Sequence, residues 1–202
     1  MKKVYDTINQ YCVEHELLTN GDGIVIGLSG GMDSVCLLQV LAALRNEWQL
    51  RLVCVHVHHG IRGTAADEDA AFAQRLAAKY NISFRLYEMD IPQLAKEQGL
   101  SEEEAGRNYR YRCFEEVRKE LNFDKIAVAH HRDDQAETVL WQILRGSGLR
   151  GVCGMRAGRA NIIRPLLCLD RQQIEQIVRG NGDGWREDAT NREEKYTRNK
   201  IR

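Results

Sequence analysis

The chain has 202 residues, 29 of them Lys or Arg and 29 Asp or Glu, with 43% hydrophobic and 29% charged side chains. Those proportions suit one globular domain with a sizeable core and exclude a disordered or fibrous chain. No apolar run approaches the ~20 residues that span a bilayer, and the opening MKKVYDTINQYCVEHELL lacks the apolar centre of a signal peptide, so a soluble, cytoplasmic protein is expected.

In chain order, the apolar run Ile24–Leu28 reads as a strand and is followed by a Gly-containing turn. The stretch Val35–Leu44 is apolar nearly all round and predicts a helix buried against a sheet. Leu52–Val57 is a second strand, Asp67–Tyr80 an Ala-rich helix and Ile82–Met89 a third strand. Ser101 with Glu104 forms a capping box, and Ala105, Tyr109, Cys113, Val117 and Leu121 recur every four residues, so Ser101–Leu121 is a long helix. Lys125–Ala129 is a strand, and a helix from Asp133 to Leu144 is stopped by Gly146. This alternation predicts a doubly wound α/β fold, with a mainly parallel five-stranded, Rossmann-like sheet flanked by helices. Composition places a boundary near Gly180–Gly184, dividing a domain over 1–180 from a short extension over 181–202.

In such folds ligands bind beyond the carboxyl ends of the strands. Ser29-Gly30-Gly31-Met32-Asp33-Ser34 follows the first strand and opens the apolar helix. Two glycines bring backbone N–H groups close to a ligand, and the helix N-terminus adds partial positive charge, so the turn is a phosphate cradle. It is not a Walker A loop, because no Lys-Ser/Thr follows. Asp33 in an anion site makes sense with a cation such as Mg²⁺, for which it is the candidate ligand; a plain capped turn is the alternative. Asp134 and Glu137, three apart, share one helix face and could act in proton transfer, although the same spacing fits helix capping. Asp133 is read as the plain cap.

Arg107 and Arg110 lie three apart on the long helix, and Arg145 closes the later one; each could clamp an anion or simply face solvent. His56, His58 and His59 follow one strand and His130-His131 another, without the ligand spacing of zinc, so they are expected to line a nucleotide pocket. The zero net charge conceals a split. Residues 1–144 hold 16 basic and 22 acidic groups, and residues 145–202 hold 13 basic and 7 acidic, 11 of the 13 being Arg. A polyanion partner or a pairing of the two halves would each account for this. The six cysteines include no C-x-x-C pair, so reduced buried thiols are expected.

SGGMDS after a strand resembles the PP-loop of ATP pyrophosphatases. VHVHHGIRG (55–63), AHHRDDQAE (129–137), LRGSGLRG (144–151), IRPLL (163–167), WREDATN (185–191) and RNKIR (198–202) then resemble, in order, the motifs of tRNA(Ile)-lysidine synthetases. The resemblance implies that ATP adenylates the C2 oxygen of the wobble cytidine of an isoleucine tRNA. The ε-amine of free lysine then displaces AMP, which moves decoding from AUG to AUA. It implies ATP contacts from Ser29, Gly30, Gly31, Met32, Asp33, Ser34 and His56, and catalytic roles for Asp33, Arg110, Asp134 and Glu137. It also implies Mg²⁺ at Asp33 and tRNA or substrate contacts from Arg107, Arg145, Arg198, Asn199 and Arg202. Members of that family continue past the last motif with further tRNA-contacting regions, and a homodimer is one option for their assembly. The alternatives are a tRNA 2-thiocytidine synthetase, which would want clustered thiolates for an iron–sulfur centre, and a non-catalytic nucleotide- or RNA-binding module.

Overall fold

The computed structural model describes residues 2–58, 64–146 and 153–186. Its strands are β1 (Gly23–Gly27), β2 (Arg51–His58), β3 (Ser83–Glu88), β4 (Lys125–Ala127), β5 (Gly158–Arg159) and β6 (Ile162–Ile163). The helices are α1 (Lys2–Glu14), α2 (Met32–Leu44), α3 (Thr64–Lys79), α4 (Ile91–Gln98), α5 (Glu102–Glu120), α6 (Arg132–Leu144) and α7 (Arg171–Gly180). The sheet order is β3-β2-β1-β4-β6-β5, parallel except for β5, which runs antiparallel to β6. The expected five-stranded sheet therefore gains a sixth strand, a two-residue ribbon too short to leave a periodic signal.

Alternation along β1 builds the core. Ile24 and Ile26 face the layer that holds α2 and α7, whereas Val25 joins Val53, Val55 and Ile126 beneath α5. Helix α2 buries ten of its 13 residues, as its all-round apolar sequence requires. On the other face α5 crosses β1 so closely that a Cβ at Gly27 would lie 2.7 Å from Phe114 Cζ. Each fully buried Leu, Ile or Val contributes roughly 1.5–3 kcal/mol, so these two layers dominate stability.

Strand order reverses between β1 and β4, which places a crevice at their carboxyl ends. The turn after β1 and the turn into α6 after β4 both open into it. Helix α6 starts at Arg132 with His131 as its N-cap, not Asp133. Residues 181–186 fold back onto the body. Asp183, buried, accepts bonds from Gln39 Nε2 (2.7 Å), from Tyr80 Oη (2.5 Å) and from Lys79. Asn181 Nδ2 donates to Tyr5 Oη (2.9 Å) and to Gln39 Oε1 (3.1 Å). Among the described residues no helix is long and apolar enough to cross a membrane.

Candidate active site at the ends of β1 and β4

The turn after β1 is organised by its own serines. Gly30 N–H donates to Ser34 Oγ (3.1 Å), Ser34 Oγ donates to the Gly31 carbonyl (2.8 Å), and Ser29 Oγ donates to Ser34 Oγ (3.1 Å). Gly30 sits at φ +89°, where only glycine is relaxed. Gly31 is the N-cap of α2 and offers no side chain to cap its first amides, so these remain available to an anion. Ser34 is buried and its hydroxyl proton is committed to Gly31, so it shapes the loop. Met32 points its side chain into the core, which leaves its backbone to face a ligand.

A second segment braces the loop from behind. Arg186 N–H donates to the Gly30 carbonyl (2.9 Å), while its guanidinium holds Asp69 and Glu68 of α3, each at 2.7 Å. Those carboxylates raise the Arg186 pKa above its ordinary value, so the brace is a permanent cation.

Across the crevice, His131 is 2% exposed and its Nδ1 accepts the Asp133 N–H at 3.2 Å. A neutral imidazole accepting at Nδ1 carries its proton on Nε2. That Nε2 lies 3.8 Å from Asp33 Oδ2 and 3.6 Å from Asp134 Oδ2, and it has no hydrogen-bond partner among the described residues. One buried imidazole edge therefore brings together the carboxylates that follow β1 and β4. Asp134 Oδ2 also accepts the His131 N–H at 3.0 Å, so the capping role and the position in the crevice belong to the same residue. Asp133 instead accepts the Arg171 N–H at 3.3 Å.

Glu137 follows Asp134 by less than one turn of α6. His56 is buried and donates from Nδ1 to the Leu28 carbonyl (2.8 Å). Burial pulls its pKa down, a pull that the Leu28 bond only partly offsets, so it is a neutral ring beside the end of β1. Arg110 lies on α5 within electrostatic reach of His56; desolvation by surrounding protein lowers its guanidinium pKa, opposed by Tyr111 and reinforced by Arg107.

Other expected residues are placed elsewhere. Arg145 caps the far end of α6, about 20 Å along the helix from His131, and stacks on Trp141 with 5.0 Å to the ring centroid. Arg198, Asn199 and Arg202 lie outside the described residues. Among the described residues no group of three His, Cys, Asp or Glu is arranged to hold a metal. The two carboxylates at His131 are hard oxygen donors, and Mg²⁺ is ordinarily held by one or two such groups plus phosphates and water, so the donor set fits Mg²⁺ only with a phosphate present. The sequence placed His131 among the residues expected to line a nucleotide pocket but not as the cap of α6, and it did not single out Arg186. The signal for the capping role of His131 was its place two residues before Asp133-Asp134 at a strand-to-helix junction.

Comparison with known proteins identifies relatives along the whole chain. The chain is 48% identical over its whole length to the tRNA(Ile)-lysidine synthase of Caldanaerobacter subterraneus and 43% identical over 99% of its length to that of Clostridioides difficile. It spans 42% and 43% of those proteins. Among solved structures, the U34-tRNA thiolase of Methanococcus maripaludis, described with its 4Fe–4S cluster, superposes with a TM-score of 0.73 at 19% identity, covering 92% of this chain and 64% of the thiolase. The NH3-dependent NAD synthetase of Campylobacter jejuni superposes with a TM-score of 0.59 at 17% identity, over 90% of this chain and 73% of that one. The sequence model of the PP-loop domain family matches residues 2–202, and the chain belongs to that family.

Proposed function

We propose that this chain is the ATP-using part of a tRNA(Ile)-lysidine synthase acting in the cytoplasm. The observation that carries the reading is the meeting of Asp33 and Asp134 at the Nε2 edge of His131, opposite an uncapped helix N-terminus. The similarity to the curated synthases extends over the entire chain.

The α2 amides and the Gly30–Gly31 backbone hold the ATP phosphates. The C2 oxygen of the wobble cytidine of an isoleucine tRNA with a CAU anticodon attacks the α-phosphorus, and pyrophosphate leaves. The ε-amine of lysine then attacks C2, the C–O bond breaks and AMP leaves with the oxygen. The amine must shed protons to react, and Asp134 with Glu137 supplies acceptors for them. Their negative charge also attracts the lysine ammonium before reaction. Arg110 and the His131 Nε2–H stabilise charge developing on phosphate or ring oxygens in this reading. Asp33 would hold Mg²⁺ together with phosphate oxygens, and the ion would neutralise the departing pyrophosphate.

The test is Asp134→Asn in the full-length protein. The amide oxygen can still accept the His131 N–H, so the helix start is preserved. ATP binding is expected to persist, while incorporation of radiolabelled lysine into the tRNA transcript falls by roughly 100-fold or more. Unchanged lysine transfer would return Asp134 to a purely capping role and remove the basis of the proposal.

A further inference from the structure

Beyond β4 and β6 the structure contains a second polar feature. A cavity of about 480 Å³ is lined by Arg107 of α5, Arg156, Arg159 of β5, Arg164 directly after β6, and Thr138 and Gln142 of α6. No acidic side chain is among its described lining residues. No described carboxylate lies within 4.0 Å of any of the four guanidinium groups, although ion pairs occupy many other arginines.

Arg164 is the most informative of the four. It is 9% exposed, yet its Nε–H finds no acceptor among the described residues. One of its amino groups is pinned to the Arg156 carbonyl at 3.0 Å, which fixes the guanidinium in place. Burial lowers its pKa, and Arg107 and Arg159 push in the same direction, against Tyr111. A buried guanidinium with an unused donor, beside other cations, is costly unless an anion completes it.

The cavity is joined to the candidate active site. Asp134, Thr138 and Gln142 are spaced by four and form one stripe of α6, and Thr138 Oγ1 donates to the Asp134 carbonyl at 2.8 Å. The cavity wall, at Thr138, thus begins about one helical turn (~5 Å) from Asp134. On α5, Arg107 stands in the cavity. Four cations repel an ammonium group, so this cavity is not where lysine waits. The PP-loop lies over β1, on the opposite side of β4 from β6.

We propose that Arg107, Arg156, Arg159 and Arg164 form a subsite for the RNA backbone, gripping a phosphodiester group next to the nucleotide whose base reacts at Asp134. This rests on the synthase reading for the choice of RNA as the anion. Arginine's planar fork suits phosphate oxygens, and a cavity of this size admits a nucleotide-sized group.

The test replaces two of the three exposed arginines, Arg156→Gln with Arg159→Gln, in the full-length protein, and compares its melting temperature with wild type. The probe is an anticodon stem-loop RNA with the CAU anticodon, followed by fluorescence anisotropy across a salt series, with ATP binding measured in parallel. Expected are a fall in RNA affinity of roughly 10–100-fold and a log K against log salt slope shallower by about 1.5, with ATP affinity unchanged. Arg164→Gln should do the same if it folds. Unchanged RNA affinity and slope in the double variant overturn the subsite, as does a wild type that binds no RNA. An equal loss of ATP affinity overturns it too, by assigning the cavity to nucleotide phosphates. If RNA binding falls as expected but the wild type incorporates no lysine, the synthase reading fails and the subsite stands.

Discussion

Gly30 and Gly31 are adjacent, yet the geometry assigns them different tasks, and alanine at each separates the two. Gly30 has φ +89°, and a Cβ there would meet Phe72 Cδ1 at 3.4 Å, with Arg186 Cγ and the Asp69 carbonyl at 3.8 Å. Space is nearly sufficient, so the cost is backbone strain, about 1–2 kcal/mol for an L-residue in this region. For a chain of this size that lowers Tm by roughly 2–8 °C. Gly31 has φ −70°, and its nearest neighbour would be Ser29 Oγ at 3.5 Å. Gly31→Ala should therefore leave Tm within about 2 °C. If phosphates approach this backbone, the new methyl group stands where a ligand must sit, and ATP affinity should still drop roughly tenfold or more. Thermal unfolding followed by circular dichroism, with calorimetric titration of ATP, reads both quantities. A Gly30→Ala protein as stable as wild type would refute the strain argument. A Gly31→Ala protein with undiminished ATP affinity would refute the phosphate cradle.

Three other substitutions or probes follow from named contacts. Asp183→Ala removes a buried acceptor shared by Gln39, Lys79 and Tyr80 and should cost about 2–3 kcal/mol in denaturant unfolding. Burial alone would raise the Asp183 pKa, but bonds from Lys79, Tyr80 and Gln39 outweigh it and hold the carboxyl below its ordinary value. Its stabilisation is complete above the unfolded value of about 3.9 and is lost as pH falls through the lower folded value; an Asp183→Asn gap that fails to narrow below pH ~4 would contradict this. Burial pushes Cys12 and Cys54 up to about 12, Cys168 up to about 11, and Cys36 and Cys113 above the ordinary range, whereas Cys153 is exposed. A thiol-reactive dye at pH ~7 should label one cysteine quickly, and a second fast thiol would show that the core is looser than described. His131→Asn keeps an acceptor for the Asp133 N–H but loses the Nε2–H, so stability should move by less than ~1 kcal/mol while lysine transfer falls; full transfer would exclude a part for that imidazole edge.

The elements legible from sequence were those with long uniform signals. The β1 run, the all-apolar α2 and the four-residue recurrence of α5 each repeat one physical preference many times, and each stands where expected. What stayed hidden depends on distant partners. Helix α1 fully buries only Ile8 and Cys12, with Val4, Tyr5 and Tyr11 half-covered on the same face, a weaker signal set among polar residues. Strands β5 and β6 have two residues each, and their pairing is defined by β4 alongside. The Gly180–Gly184 stretch looked like a boundary by composition, yet Asp183 bonds to Gln39, 144 residues away. In the site, the Gly-containing turn was legible because glycine has a backbone meaning of its own. The part played by His131 was not, since histidine is an uncommon cap and its neighbours Asp33 and Asp134 meet only through the sheet. The basic surplus after residue 144 and the helix-end place of Arg145 were visible, but nothing in composition showed that Arg164 would be buried or that Arg145 would stack on Trp141.

That last contrast gives the net charge of zero a spatial meaning. Helix α6 carries Asp133 and Asp134 in its first turn, where its dipole favours negative charge, and is capped at its other end by Arg145, where it favours positive charge. Between these ends, the face through Asp134, Thr138 and Gln142 runs from carboxylates into the arginine cavity. Under the proposed function, one face of one helix then orders the reactants by charge: the lysine ammonium at the acidic end, the RNA backbone at the basic end, and ATP across the crevice on the α2 amides. Opposite charges in contact would neutralise each other, and among the described residues Asp134 forms no ion pair with these arginines. The separation keeps each group's charge available to a ligand of opposite sign. A chain whose charges sum to nothing can in this way bind an anion and a cation side by side, and a cytidine held through its phosphate would present its base to the amine across that short distance.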